Sequence, residues 1–459
     1  MVNTLNTMIL SSFTHPTLSI VLMGVSVFLA GEPKQASTAK PNVLFILADD
    51  MGWGDLSCHG HPQYKTPNLD RLASQGIDVQ QFYVAAPICS PSRAGFLTGQ
   101  SPMRYGIRMP YALDVNIKEN QPDWLDPRAP SVARLLQGAG YHTGIIGKWH
   151  LVEEFQGRMV DAPTPAAYGF NEWQLMRGPW APALDKDFNH QVYQAAVDFL
   201  RDNRQRPFYL TVTMHETHVP YLPSKSALQA VTDLPEMQRK YAASVIDADR
   251  GIGRILDALR EHSLEQNTLV LFSSDNGPAR RKDDPEDPHG ERFNAGATGG
   301  RRGWKGEVYE GGIHQPFIAR WPGHIPAGKV DTVNVLAGVD FLPTVCAAVG
   351  VALPADYKGD GENRLPVLTG KVLPRTTPLF WYAAGQYAVR DQHWKLVTGK
   401  NGKPAELFDI VADPGESQDL AAKHQEIVRK LEEMLRDWHA ALPTSPDPAC
   451  LSKTRVVKR

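Results

Sequence analysis

Four short stretches of the chain are almost wholly apolar and stop abruptly at polar residues. Residues 42–47 run into Asp49-Asp50, and residues 141–146 into Gly147-Lys148-Trp149-His150. Residues 208–214 run into His215, and residues 268–274 into Asp275-Asn276-Gly277. Continuous apolar runs of this length, without polar alternation, predict strands buried on both faces of a sheet. Helical patterns lie between them. Residues 66–75 begin with Thr66 as N-cap and Pro67 in the first turn and stop before Gly76. Residues 131–137 and 190–203 are also predicted helical. The longest helix is 237–262, with Ile252, Ile255, Leu256 and Leu259 at the spacing of one face.

Strands alternating with helices predict an α/β fold: a large, mostly parallel mixed sheet flanked by helices. Open α/β sheets bind ligands at the carboxyl ends of their strands. Asp49, Asp50, Lys148, His150, His215, His218, Asp275 and Asn276 are therefore expected to converge on one edge of one sheet.

The pattern changes elsewhere along the chain. Residues 280–302 are charged and glycine-rich without periodicity, the profile of a long surface loop beside the Asp275-Asn276 edge. Beyond about residue 370, the segments 378–382, 387–398 and 405–410 are predicted short antiparallel strands, followed by an amphipathic helix over 416–442. This predicts a small C-terminal α+β domain on an antiparallel sheet, residues 370–459, after a catalytic domain of residues 40–369. Residues 18–30 are an apolar run short for a membrane span, followed by small and then polar residues. Residues 1–39 are accordingly expected to be a signal peptide, although no Lys or Arg precedes the apolar run; the alternative is an N-terminal anchor. No later segment is apolar enough to span a membrane, so a secreted or periplasmic location is expected.

Composition narrows the function by exclusion. The 459 residues carry 48 Lys+Arg against 50 Asp+Glu, a formal net charge of -2. That balance gives no electrostatic basis for binding nucleic acid or an anionic membrane. The 4 cysteines are too few for a disulfide framework in an exported chain of this size.

One cysteine stands in chemically loaded surroundings. Cys89-Ser90-Pro91-Ser92-Arg93 can open a helix with Pro91 in its first turn, placing Cys89 and Arg93 on one face near an end that favours anions. The carboxylates of Asp49, Asp50 and Asp275 with the amide oxygen of Asn276 form a hard, all-oxygen set suited to Ca²⁺ or Mg²⁺. Either pair alone is more often a turn than a ligand; both at predicted strand ends, with Cys89, favour the metal.

Cys-x-Pro-x-Arg followed by Leu97-Thr98-Gly99 resembles the signature of the type I, formylglycine-dependent sulfatases of the alkaline phosphatase superfamily. Residues 140–151, carrying Lys148 and His150, resemble that family's second signature, except that Val152 stands where the family usually has Gly. His215-Glu216-Thr217-His218-Val219-Pro220 resembles its His-x-Pro segment, and Lys305-Gly306 with Tyr309-Glu310-Gly311-Gly312 resembles the stretch carrying a further sulfate-binding lysine. The resemblance spans about residues 41–420. It implies an alkaline phosphatase-like fold, oxidation of Cys89 to formylglycine by a maturase, and a Ca²⁺ ion (Mg²⁺ as the alternative) held by Asp49, Asp50, Asp275, Asn276 and position 89.

The resemblance also implies a mechanism. A hydroxyl of the hydrated aldehyde at position 89 attacks sulfur. His218 with Lys305 protonates the leaving alcohol, and Lys148 and Arg93 stabilise charge on the sulfuryl oxygens. His150 is the base that regenerates the aldehyde, and His215 lines the substrate pocket. The expected substrate is a sulfated carbohydrate. The alternatives are an arylsulfatase acting on small esters, a phosphoester or phosphonate monoester hydrolase of the same superfamily, and a non-catalytic binding protein. Asn276 and the Cys-Pro-Arg segment weigh against the two-metal phosphatases, which need more carboxylate and histidine ligands.

Overall fold

The structure is a computed structural model and describes residues 40–152, 161–175, 188–281, 293–294, 296–400 and 403–455. The expected signal peptide and the middle of the 280–302 loop lie outside the described residues.

The apolar runs form the strands they predict. In chain order the first are β1 (Asn42–Ala48), β2 (Ile77–Tyr83), β3 (His142–Gly147), β4 (Glu172–Leu175), β5 (Phe208–Thr213) and β6 (Thr268–Ser274). The short strands β7 (Arg280–Arg281) and β8 (Phe293–Asn294) pair with each other, so the predicted loop carries a small ribbon at its base. Then come β9 (His314–Gln315), β10 (Phe317–Arg320) and β11 (Lys329–Ala337). The large sheet has nine strands in the order β11-β2-β10-β6-β1-β5-β3-β4, with β9 added beside β2. Neighbours β6, β1, β5, β3 and β4 are all parallel. β10 is antiparallel to both β2 and β6. The sheet is thus mixed and mostly parallel, an alkaline phosphatase-like arrangement.

Alternate residues of β1 enter different cores, as the two-residue period of a strand requires. Val43, Phe45 and Leu47 pack with Phe96 and Phe341 on one face. Leu44, Ile46 and Ala48 pack on the other face with Ala196, Phe199 and the predicted stripe Ile252, Ile255, Leu256 and Leu259. Each large side chain so buried contributes roughly 1.5–3 kcal/mol. The stripe lies on the Glu236–Glu261 helix, which with Phe188–Asp202 covers this face.

The C-terminal region is a separate antiparallel sheet of four strands, β12 (Leu379–Ala383), β13 (Gln386–Asp391), β14 (Trp394–Val397) and β15 (Glu406–Asp409). Val389, Leu396 and Leu407 pack against Leu431 and Leu435 of the helix Gln425–Ala440. Trp381, Ala388, Val397 and Phe408 instead join the core of the large sheet.

Two boundaries differ from expectation. The segment 387–398 is a hairpin rather than one strand, turning at Gln392 with φ 57°. The closing helix begins at Gln425 rather than 416. Residues 413–418 form a turn in which Asp413 accepts from the Ser417 and Gln418 amides, and Glu416 takes φ 51° and sends its side chain inward. Among the described residues, no helix is long and apolar enough to cross a membrane.

Candidate active site

Parallel strands place their carboxyl ends together, and here that edge gathers the predicted residues. β1 delivers Asp49 and Asp50, β3 delivers Lys148 and His150, β5 delivers His215 and His218, and β6 delivers Asp275 and Asn276. The ends of β1 and β6 are stitched together: the Asp275 amide donates to the Ala48 carbonyl at 3.0 Å, and the Met51 amide to Ser274 Oγ at 3.0 Å. Asp50 and His150 both hold left-handed backbone, φ 63° and 52°. Non-glycine residues rarely adopt this conformation, and it is concentrated where function demands a particular side-chain direction.

Cys89 enters from β2, which runs parallel to β6 because both are antiparallel to β10. It opens the helix Cys89–Thr98 after an extended Ile88, and Gly99 closes that helix at φ 66°. Cys89 and Arg93, one turn apart, reach the same carboxylates. Cys89 Sγ lies 3.6 Å from Asp49 Oδ1, and Arg93 Nη2 lies 3.7 Å from the same oxygen and 2.6 Å from Asp275 Oδ2. The unmodified thiol is 2% exposed, and burial pushes it up to about 12, with Lys148 and Lys305 pulling the other way. Such a thiol carries almost no thiolate at neutral pH.

Basic side chains close on the carboxylates. Lys148 Nζ and His215 Nδ1 each stand 2.7 Å from Asp49 Oδ2. Lys305 Nζ stands 2.6 Å from Asp50 Oδ1, and Asn276 Nδ2 donates to that oxygen at 2.7 Å. Burial alone would raise Asp49; Lys148, then His218, His215 and Arg93, overcome it and hold the carboxyl well below its usual range. Asp275 keeps the opposite balance: burial pushes it up to about 6 even against Arg93.

Burial lowers all three histidines of the site. Burial, reinforced by Lys305, holds His218 well below its usual value, and burial with Lys148 and Arg93 does the same to His150. His215 and His218 stack at 4.5 Å, and His218 Nε2 lies 3.8 Å from Asp50 Oδ2. His150 Nε2 is 3.3 Å from the Tyr111 carbonyl.

Ligand atoms of Asp49, Asp50, Cys89 and His218 lie within 4.8 Å of one another. The expected set placed Asp275 and Asn276 there and gave His218 a different role; the structure brings all of them to the same edge. Asn276 Oδ1 is buried and has no hydrogen-bond partner among the described residues. An orphaned amide oxygen beside buried carboxylates is costly unless a cation or donor faces it, so the donor set fits a hard divalent ion.

The lysine-bearing segment also arrives as expected, for a steric reason. A Cβ on Gly277 would stand 1.9 Å from the Gly311 carbonyl oxygen, and one on Gly312 2.0 Å from that of Glu307. Only glycines allow the two backbones to meet and bring Lys305 to Asp50. The sequence reading missed Thr217, whose hydroxyl donates to the Asp49 carbonyl at 2.5 Å, and Ser274. Both are small polar residues without a distinguishing pattern.

The family emerges from comparison with known proteins. The Sulfatase family model matches residues 41–351, and the model for the N-sulphoglucosamine sulphohydrolase C-terminal region matches residues 300–441. The chain is a member of the sulfatase family, and it is a sulfuric ester hydrolase. It is 30% identical to human (Homo sapiens) arylsulfatase A, over 86% of this chain and 86% of that one. It is 32% identical to the N-acetylgalactosamine-6-sulfatase of Canis lupus familiaris, over 82% of this chain and 76% of that protein. Its fold matches the crystal structure of Ps i-CgsB in complex with k-i-k-neocarrahexaose at a TM-score of 0.76, with 24% identity over 89% of this chain and 96% of the other.

Proposed function

We propose that this sulfatase removes sulfate from a sulfated carbohydrate, outside the cytoplasm, through a modified Cys89. The observation carrying the proposal is the convergence of Cys89 with Arg93, Lys148 and Lys305 on the Asp49-Asp50 edge. The carbohydrate class rests on the N-acetylgalactosamine-6-sulfatase relatives and on the match to the N-sulphoglucosamine sulphohydrolase C-terminal region. Residues 1–39 are assigned as signal peptide, 40–369 as catalytic domain and 370–459 as C-terminal domain.

The inert thiol explains why an unmodified Cys89 is a poor nucleophile, and oxidation to formylglycine by a maturase supplies an aldehyde whose hydrate is a competent one. A divalent ion, Ca²⁺ in this reading, would be held by Asp49, Asp50, Asp275, Asn276 and position 89, and would supply Lewis-acid polarisation there.

The chain's own residues do the remaining work. Arg93 and Lys148, buried and cationic, bind and orient the sulfuryl oxygens; placed in advance, they need no reorganisation as charge develops. Lys305 keeps its proton because Asp50 overrides the cost of burial. Its ammonium is therefore available to hydrogen-bond the leaving oxygen. Burial, reinforced by Lys305, lowers His218, and its Nδ1 lies 2.7 Å from the Val219 carbonyl, so its Nε2 is the nitrogen placed to accept and pass on a proton. His150, likewise lowered by burial, is placed as the base of the elimination, and His215 orients Asp49.

The test is incubation of protein matured with a formylglycine-generating enzyme on a panel of defined sulfated oligosaccharides, read by mass spectrometry. Loss of one sulfate from a particular sugar, absent in Cys89→Ala, supports the proposal. Inertness toward every glycan with activity on aryl sulfates or phosphoesters overturns the carbohydrate assignment.

A further inference from the structure

Lys395, on β14 of the small sheet, is fully buried and lies far along the chain from the residues above. Its ammonium lies 2.9 Å from Glu310 Oε1 and 2.8 Å from Glu416 Oε1, and both carboxylates are buried as well. The other oxygen of Glu416 accepts the backbone N–H of Glu310 at 2.7 Å. The other oxygen of Glu310 accepts from the Tyr83 hydroxyl at 2.7 Å and faces His314 Nδ1 at 2.9 Å. Buried ion pairs seldom add net stability over apolar packing. A cluster of this kind calls for a role in specifying geometry.

What it specifies is the turn that begins at Gly303. Glu310 is the first residue of the short helix Glu310–Ile313, whose glycines press on the end of β6. The Gly277 amide donates to the Gly312 carbonyl at 3.0 Å, and the Gly311 amide to the Arg302 carbonyl at 2.6 Å. Inside that closed turn, the Lys305 amide donates to the Pro278 carbonyl at 3.0 Å and the Gly306 amide to the Pro87 carbonyl at 2.7 Å. Lys305 is therefore pinned between the segment that delivers Asn276 and the segment that delivers Cys89. Its turn is anchored from the opposite end by the Glu310–Lys395–Glu416 cluster.

We propose that Lys395 is a positioning residue for Lys305: it fixes Glu310 and Glu416, and through the backbone of the Gly303–Ile313 turn it sets where the Lys305 ammonium stands against Asp50. The small sheet thereby takes part in catalysis without touching the reacting atoms. This inference rests on the catalytic reading of Lys305 given above.

A double-mutant cycle tests it. Lys395→Met alone leaves two carboxylates facing each other, so the informative variant is the pair Lys395→Met/Glu416→Gln, in which the side-chain amide oxygen introduced at position 416 still accepts the Glu310 N–H. Matured enzymes are compared in kcat and KM on a sulfate ester, alone and in the Lys305→Ala background, with thermal melting to verify the fold. The expected result is a loss of about tenfold or more in kcat in the wild-type background and no further loss once Lys305 is absent. An equal loss in both backgrounds, or none in the wild type, overturns the positioning role while leaving the Lys305 reading intact. Wild-type turnover in Lys305→Ala overturns both.

Discussion

Arg93 grips one oxygen of Asp275 with two nitrogens, Nε donating at 2.8 Å and Nη2 standing 2.6 Å away, while its Nη1 donates to the Lys148 carbonyl at 2.9 Å. One side chain thus ties together the Cys89 helix and the ends of β6 and β3. Removing it strands a buried carboxylate. Arg93→Ala is expected to lower stability by roughly 3–5 kcal/mol and kcat/KM by more than about a hundredfold. Thermal melting and steady-state kinetics check both; an unchanged melting temperature would contradict this account of the pair.

Cys89→Ala should separate folding from chemistry. The deleted atom is one buried sulfur, so the stability cost is about 1 kcal/mol. Turnover should vanish. Circular dichroism and sulfate-release assays on the same preparation provide the measurement, and activity near wild type would exclude position 89 as the nucleophile.

Chelation should act on both stability and rate. Divalent-ion removal leaves Asp49, Asp50 and Asp275 crowded in a buried site, so the melting temperature is expected to fall and activity to disappear. Ca²⁺ added at about a thousand times its dissociation constant should restore roughly 4 kcal/mol. Asn276→Ala, which removes the orphaned amide oxygen, should raise the Ca²⁺ concentration needed for half-restoration.

Glu416 provides a pH dependence. Burial pushes its carboxyl from 4.5 up to about 7, Lys395 pulling it down and Glu310 pushing it further up, because one ammonium serves two carboxylates. A folded value above the unfolded one means this stabilisation is complete below about pH 4.5 and is lost as pH rises through about 7. The interval corresponds to about 3 kcal/mol. Urea midpoints measured at pH 5 and pH 8 should differ more for wild type than for Glu416→Gln; parallel behaviour of the two proteins would refute the assignment.

The catalytic edge was legible because each contributing signal is local. A buried parallel strand is a continuous apolar run, and Asp49, Lys148, His215 and Asp275 each follow one directly. The Cys89 helix announced itself through Pro91 in its first turn and Gly99 after its last. The hairpin at Asp391-Gln392-His393 was not legible, since no Gly, Asn or Pro marks a turn that Gln392 makes at φ 57°. Nor was the late start of the final helix. Glu416 carries ordinary helical propensity, but residues 413–418 are held in a turn by Asp413, and Glu416 points inward to Lys395, a partner it meets only in the folded chain. Long-range charge pairs leave no periodic trace.

Cys89 is 2% exposed, and the backbone beside it is sealed by Gly306, which donates to Pro87 from far downstream in the chain. A thiol enclosed in this way is out of reach of another protein's catalytic groups once that contact has formed. On the proposed modification, oxidation of position 89 is expected to precede closure of the contact between Gly306 and Pro87. The proposed alteration of the side chain would then come first in the protein's biogenesis and closure of the sheet second.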